Sequence, residues 1–252
     1  MKDRSCAKGD DPWLHLMNET SAWFQGPLGQ QLLEQEQRAL GHELARCFGS
    51  YLVHYAPVAH TSIEPQKIKR SVRIGPPLPG VDIFCEEQSW PIGEHAADVV
   101  VVQHGLDFSL SPHALLREAA RSVRPGGHLL IIGINPWSAW GLTRLLSRKA
   151  FRHARCIRPT RVGDWLNLLG FALEKRRFGC YCPPLSSSQW QARLSRLDIA
   201  GQRLQAPTGG FYLLVARKLT VGLRPLRQNR RERMGQLLPL PVAKVSRRDA
   251  EQ

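Results

Sequence analysis

The chain has 252 residues, which is enough for one sizeable domain or two small ones. A chain of this length buries a large core, so it needs no disulfide or structural metal to fold. Its 42% hydrophobic and 22% charged residues exclude a fully disordered or collagen-like protein. No apolar run approaches the roughly 18 residues of a membrane-spanning helix, which excludes stable membrane insertion.

The net charge is +14 at neutral pH, and the excess is concentrated in two segments. Ten basic residues and three acids lie between Arg217 and Gln252, and seven basic residues and no acid lie between Leu142 and Arg161. Segments of this kind attract phosphate, nucleic acid or anionic lipid without sequence specificity. The alternative for the C-terminal segment, which we favour, is a solvated and frayed tail.

The six cysteines are scattered, and the N-terminus has no apolar stretch typical of a secretory signal. We therefore expect a cytoplasmic protein with free thiols. Cys180 and Cys182 have no second Cys or His pair at zinc spacing nearby, so we expect strand packing and no metal site.

The first half of the chain predicts one long helix and three short strands. We expect a flexible segment over 1–20, one domain over 21–219 and a basic, disordered tail over 220–252. Apolar residues recur at helical spacing from Phe24 to Leu44, which predicts a helix that ends near Gly49. Tyr51–Tyr55, Lys69–Ile74 and Val81–Phe84 are short β-prone runs.

The clearest signals form a strand–helix–strand unit. Ala97–Gln103 is a continuous apolar run, typical of a parallel strand that is buried on both faces. Pro112–Val123 predicts a helix with Ser111 as its N-cap, and the turn at 124–127 ends that helix. Leu129–Gly133 predicts the next strand, so the fold class is α/β with a parallel sheet.

The second half adds two helices and two strands. Trp140–Cys156 predicts a basic amphipathic helix, and Val162–Leu169 predicts a further helix. Ala172–Phe178 and Phe211–Ala216 predict late strands. On the basic helix four arginines fall on one side: Arg144, Arg148, Arg152 and Arg155.

Four signals follow one another between Val81 and Asn135. They are Glu86, the step Trp90-Pro91-Ile92, the strand start Asp98-Val99-Val100 and the turn Val123-Arg124-Pro125-Gly126-Gly127. Their order and spacing resemble those of the class I S-adenosylmethionine-dependent methyltransferases of the type 11 group. Asp164–Leu173 and Gly209–Lys218 extend the resemblance over roughly residues 22–220, and the segment Asn135–Gly141 is similar to that of a bacterial subgroup.

The resemblance implies a Rossmann-like class I methyltransferase fold, with a mostly parallel seven-stranded sheet flanked by helices. It also implies S-adenosyl-L-methionine as the cofactor, bound near Tyr55, Ala56, Glu86 and Gln103. Glu86 matches the acid that accepts the adenine amino group, although a solvated loop acid is the alternative. The chain departs from the family after the first strand, where His54 replaces an acid and Ala56 replaces the first glycine. No acid follows Lys69–Ile74 to bind the ribose.

Polar and aromatic residues after the fourth and fifth strands are candidates for the chemistry. His104 could orient the acceptor or remove a proton, and Asp107 could pair with it or cap the next helix. A lone histidine that hydrogen-bonds a loop is the alternative. Asn135 could donate to the acceptor or form a turn with Pro136. Trp137 and Trp23 could form an apolar wall, although core packing is the alternative.

Two functions follow from these observations. The first is methyl transfer to an unidentified acceptor, which we expect to be a small molecule. The second is a methyltransferase-like binding or regulatory module without cofactor, in which the basic tail and the four arginines bind nucleic acid or an anionic membrane surface. The preserved pattern from Glu86 to Asn135 favours the first function.

Overall fold

The fold is that of a computed structural model, which describes residues 12–58, 63, 67–143, 154–184, 198, 201 and 203–220. All of these except Thr220 belong to one compact unit that ends at Leu219. In this part of the chain, no helix combines the length and the apolar character that crossing a bilayer requires. The tail predicted for 220–252 lies outside the described residues, apart from Thr220.

Seven described strands form one sheet in the order β3-β2-β1-β4-β5-β7-β6. The strands are β1 (Gly49–Tyr55), β2 (Ile68–Gly75), β3 (Ile83–Phe84), β4 (Ala97–Gln103), β5 (Val123–Ile134), β6 (Phe171–Gly179) and β7 (Phe211–Lys218). The first five are parallel, whereas β7 is antiparallel to both β5 and β6. The predicted mostly parallel, seven-stranded α/β sheet is confirmed.

Five described helices flank this sheet. They are α1 (Pro12–Phe24), α2 (Pro27–Leu44), α3 (Pro112–Ser122), α4 (Ala139–Thr143) and α5 (Pro159–Leu168). Residues of α1 and α2 share one buried cluster with Leu52 and Val99, on one face of the sheet. Residues of α3 and α5 share a second cluster with Val53 and Val100, on the opposite face. Because both faces are covered, all seven residues of β4 are buried.

The N-terminal segment is a helix, so the expectation of a flexible stretch over 1–20 is wrong from Pro12 onward. Met17 and Phe24 of α1 are buried in the core. Thr20 and Ser21 are buried on the same helix. These small polar residues interrupt the apolar pattern on the packed face, and for this reason the sequence did not predict the helix.

The turn predicted at 124–127 lies within β5, which is longer at both ends than the predicted Leu129–Gly133. Gly126 has a φ of 79°, and the pairing of β4 with β5 shifts register between Ala97 and Val99. A Cβ on Gly127 would lie 2.7 Å from the Asp98 carbonyl oxygen. The Pro-Gly-Gly sequence therefore produces an irregularity inside a strand and does not end the pairing.

The basic helix predicted over Trp140–Cys156 is described only at its two ends. Residues 140–143 are helical and belong to α4, whereas residues 154–158 are not helical and Cys156 has a φ of 43°, so the prediction is wrong from Ala154 onward. Arg144, Arg148 and Arg152 lie outside the described residues.

Asp98 fixes the start of β4 against β1. Its Oδ2 accepts hydrogen bonds from the backbone N–H groups of Ser50 (2.7 Å) and Tyr51 (2.9 Å). Its Oδ1 lies 2.7 Å from a guanidinium nitrogen of Arg124. The Asp98 side chain is 5% exposed and the Arg124 side chain 51% exposed, so the carboxylate bears most of the desolvation.

Replacement Asp98→Ala should lower the free energy of unfolding by about 2–4 kcal/mol, because it leaves two N–H groups and a guanidinium without their acceptor. The matched change Arg124→Ala keeps both N–H bonds and should cost about 1 kcal/mol or less, as for a half-exposed ion pair. Urea denaturation of the two variants measures this difference. Equal losses would contradict the role of Asp98 as a backbone anchor.

Candidate functional site

The carboxyl ends of β1 and β4 meet at the edge where open α/β sheets bind ligands. Here the His54 ring on β1 lies 3.2 Å from Gln103 Oε1 at the end of β4. The Gln103 amide donates to Glu36 Oε2 on α2 at 2.8 Å. All three side chains are buried. Since the amide nitrogen of Gln103 serves Glu36, its oxygen faces His54, and His54 donates through Nε2.

His104 follows directly and is fully buried in the left-handed conformation, with a φ of 54°. Its Nε2 lies 2.9 Å from Glu36 Oε1, and its Nδ1 lies 3.1 Å from Asp107 Oδ2. Burial opposes the charged ring, but the carboxylates of Glu36 and Asp107 raise the pKa of His104 to about 10. At neutral pH the side chain is an imidazolium that donates from both nitrogens.

Asp107 connects this network to β5. Its Oδ2 also accepts the backbone N–H of Ile134 at 2.9 Å, whereas its Oδ1 has no partner among the described residues. Burial raises the pKa of Asp107, although the bond from His104 opposes the shift. The network joins α2, β1, β4 and β5, and we call it the His104 cluster; its members are Glu36, His54, Gln103, His104 and Asp107.

His54 is the neutral histidine of the His104 cluster. Burial, together with the positive charge of Arg73, lowers the pKa of His54 to about 3. Arg73 lies opposite His54 in the parallel pairing of β1 with β2. The two histidines at this edge therefore differ in charge: His104 is protonated because it faces carboxylates, and His54 is neutral because it is buried beside a guanidinium.

Arg73 is a buried cation with hydrogen-bond donors that no described residue accepts. Only 7% of the residue is exposed, and its Nε and Nη2 have no hydrogen-bond partner in the part of the chain that the structure describes. Nη1 makes one long bond, of 3.4 Å, to the Gly80 carbonyl oxygen. Burial lowers the pKa of Arg73, while the charge of Asp82 partly restores it. Such unsatisfied donors in a buried place indicate that an anionic group can bind there.

The predicted cofactor residues lie on both sides of this edge. Gln103 belongs to the His104 cluster, whereas the Tyr55 ring packs on the other face of the sheet and stacks on Trp90, with 5.4 Å between the centroids. Ala56 is buried just after β1. Glu86 is exposed after β3. The structure therefore brings His104, Asp107 and Gln103 together and leaves Glu86 apart.

The predicted acceptor residues do not form one wall. The Asn135 amide donates to the carbonyl oxygens of Pro207 and Gly209, each at 2.8 Å, so both its N–H groups join the β5 end to the loop before β7. Trp137 is 65% exposed, with the Arg158 guanidinium 5.0 Å from its ring centroid. Trp23 is half-buried on α1 and meets Phe24 edge-on.

Two residues of this edge escaped the sequence analysis. Glu36 lies four residues from both Leu32 and Leu40, so a carboxylate in the apolar stripe of α2 was the available signal. Arg73 is one of three basic residues in β2, after Lys69 and Arg70, so no pattern within the strand distinguishes it. In addition, Glu87, and not Glu86, is the buried acid: it accepts the N–H groups at the start of α3 and a bond from Ser109 Oγ at 2.6 Å.

The predicted basic surface is described only in part. Arg155 Nη2 donates to the Leu110 carbonyl oxygen at 3.2 Å, so this guanidinium is partly used within the protein. No group of His, Cys, Asp and Glu within the described ranges is arranged to hold a metal ion. The cysteines of those ranges are free thiols.

Comparison with known proteins finds one matching family and one relative over most of the chain. Residues 44–131, from the end of α2 into β5, match the family described as a methyltransferase domain, of the type 11 group. The chain is also 27% identical over 215 residues to the uncharacterized protein YafS of Escherichia coli, an alignment that covers 82% of this chain and 85% of that one.

Solved structures show the same fold at low sequence identity. A SAM-dependent methyltransferase from Thermotoga maritima superposes with a TM-score of 0.55 at 13% identity and covers 82% of this chain and 99% of its own. A chain from the complex of the Haloferax volcanii Trm112 methyltransferase activator with a methyltransferase gives 0.54 at 14% identity, covering 81% and 98%.

These likenesses agree with the sheet order and with the four sequence signals around β4. The predicted Rossmann-like class I fold is confirmed, and residues 44–131 are similar to the methyltransferase domain of the type 11 group.

Proposed function

We propose that the protein transfers a methyl group from S-adenosylmethionine to a small-molecule acceptor at the carboxyl ends of β1, β2 and β4. The observation that carries this proposal is the buried Arg73 guanidinium with two unpartnered donors at that edge. A methyltransferase must hold the charged methionine end of its cofactor, and a guanidinium with two adjacent N–H donors suits a carboxylate.

Two side chains suit the two ends of S-adenosylmethionine: Arg73 at the sheet edge, and Glu86, which lies apart from that edge after β3. Arg73 would bind the methionine carboxylate through Nε and Nη2, and the exposed Glu86 carboxylate would accept the adenine amino group. The middle of the cofactor has weaker support, because Ala56 and Pro57 replace a glycine loop and Gly75 ends β2 where a ribose-binding acid is expected. Pro57 also lacks a backbone donor.

The His104 cluster supports the site by positioning. His104 is protonated, fully buried and bonded at both nitrogens, so this geometry favours a residue that fixes α2 over the sheet edge and not a general base. Phe24 of α1 packs over its ring, with centroids 4.8 Å apart. Helices α1 and α2 thereby exclude water from this side of the edge.

The bound cofactor supplies an activated methyl group on a sulfonium, and transfer is an in-line displacement that depends mainly on alignment. The protein's part is then to hold both reactants: Arg73 orients the charged end, and the buried cluster keeps β1, β4 and α2 in fixed register. Trp23 and the exposed Trp137 are the aromatic surfaces proposed for the acceptor.

S-adenosylhomocysteine should raise the thermal midpoint. A ligand that binds only the folded state adds about 2.7 kcal/mol at a hundred times its Kd, which corresponds to roughly 5–10 °C for a chain of this size. Differential scanning fluorimetry with adenosine as the control ligand measures the shift. No shift at millimolar S-adenosylhomocysteine would contradict the proposed function.

Replacement Arg73→Met should weaken S-adenosylhomocysteine binding at least about tenfold, since it removes charge-assisted bonds worth about 1.5–3 kcal/mol. It should change the free energy of unfolding by no more than about 1 kcal/mol, because it also removes a poorly paired buried charge. Calorimetric titration and urea denaturation give the two values. Arg70→Met on the exposed side of the same strand is the control, and an equal loss of affinity there would contradict the role of Arg73.

Replacement His104→Gln should flatten the pH dependence of stability. The folded-state pKa of His104 is raised to about 10, so its contribution is fully present below the unfolded value of about 6.5 and is lost as pH rises toward 10. The free energy of unfolding of the unmodified protein should therefore fall more steeply than that of the variant between these limits. Parallel curves in urea denaturation from pH 6 to 10 would show that His104 is not the buried imidazolium.

A further inference from the structure

A second polar site lies beside the sheet edge, between α2 and the strands β6 and β7. An open cleft of about 320 Å³ is lined there by residues of α2 and of both strands. Its α2 side presents Arg38 and His42, and its β6 side presents Arg177 and Gly179. The volume is at the lower end of small-molecule sites, which suits a metabolite-sized ligand.

The cleft reaches the same edge of the sheet as the His104 cluster. Phe211, which lines it, starts β7 and pairs with Ile134 at the end of β5. Ile134 in turn donates its backbone N–H to Asp107 of the cluster. On α2, Gln35 lines the cleft while its neighbour Glu36 bonds to His104. One helix therefore separates the cleft from the buried network.

The cations of the cleft keep donors for a ligand. The Arg38 side chain is 80% exposed, and its one acidic neighbour, Glu34, is 4.0 Å away and itself exposed. Arg177 uses Nε for Glu43 at 2.7 Å, and no described residue bonds its two terminal nitrogens.

The acid nearest Arg177 is already satisfied. Glu43 is buried and also accepts from Lys175 at 2.8 Å; burial opposes its charge, but Lys175 and Arg177 hold the pKa of Glu43 below its usual value. Its charge is shared between two cations, and the partly exposed His42 lies 3.4 Å from it. None of the described residues that line the cleft carries a carboxylate, and Asp198, beside the cleft, accepts a bond from Gln35 at 3.0 Å. The local field therefore favours an oxyanion.

We propose that this cleft binds a small molecule that carries a carboxylate or a phosphate. Arg38 and Arg177 contact the anion from opposite walls. This anion site does not rest on the proposed methyltransferase function.

Titration with succinate and with inorganic phosphate at constant ionic strength tests the proposal and distinguishes the two anions. Calorimetry or thermal shift should detect one of them with a Kd at or below about 10 mM. Replacements Arg177→Gln and Arg38→Gln should each weaken it at least about fivefold, in line with the loss of an ionic hydrogen bond of about 1 kcal/mol or more.

Arg176→Gln is the matched control. Arg176 is the exposed residue next to Arg177 on β6. It pairs with Leu214, which packs in the core on the opposite face of the sheet, whereas Arg177 pairs with Leu213 on the face that borders the cleft. The affinity of the Arg176→Gln variant for the anion should stay within about twofold of that of the unmodified protein, because distant surface charges are screened by salt. The exposed Arg38 gives a variant whose folding is not in question.

No binding of either anion, or equal weakening by Arg38→Gln and Arg176→Gln, would overturn the inference. S-adenosylhomocysteine titrated into the same variants separates the two proposals. Cofactor binding without anion binding would support the proposed function and contradict the anion site in the cleft. Anion binding that is lost in Arg38→Gln, without any cofactor binding, keeps the cleft and removes the methyltransferase assignment.

Discussion

The edge of the sheet depends on one buried ion cluster. The His104 imidazolium lies between Glu36 of α2 and Asp107, whose carboxylate also holds the β5 backbone. Breaking such a cluster at one member leaves an uncompensated buried charge, which costs about 3–5 kcal/mol. Helix α2 is for this reason fixed over the ends of β1 and β4. The two proposed binding sites lie on either side of it: the Arg73 guanidinium beside His54, and the cleft lined by Arg38 and Arg177.

The parts of the fold that sequence predicts well are those with local patterns. The run of β4, the apolar stripe of α2 and the Pro-initiated α3 each follow from an apolar pattern or an initiating proline within a short window, although the predicted N-cap Ser111 makes no side-chain cap hydrogen bond. Helix α1 was missed because Thr20 and Ser21 occupy its packed face, and β5 was cut short because a Pro-Gly-Gly step usually ends a strand. In both cases packing overrides the local signal.

The sequence predicted only those residues of the site that directly follow one strand. His104, Asp107 and Gln103 follow β4 directly, so the topology of a parallel sheet places them at the ligand edge. Glu36 and Arg73 reach that edge from elements 68 positions before His104 and 30 positions before Gln103. A carboxylate in the apolar stripe of α2 is the one local signal for Glu36, and no local pattern marks Arg73. The charge state of His104 is likewise a property of the assembled cluster: a lone histidine suggested a base, and the distant Glu36 together with the nearby Asp107 makes it a cation.

The departure from the family after β1 has a physical counterpart in the structure. An acid at position 54 would face Arg73 across the strand pair and would neutralise it, consuming the donors that are now unpartnered. The neutral His54, whose Nε2 is used by Gln103, leaves those donors available. Pro57 lacks a backbone donor near this edge, while Arg73 supplies side-chain donors at the same edge. The departures at positions 54 and 56, together with the guanidinium of Arg73, therefore favour one altered way of holding an anionic group.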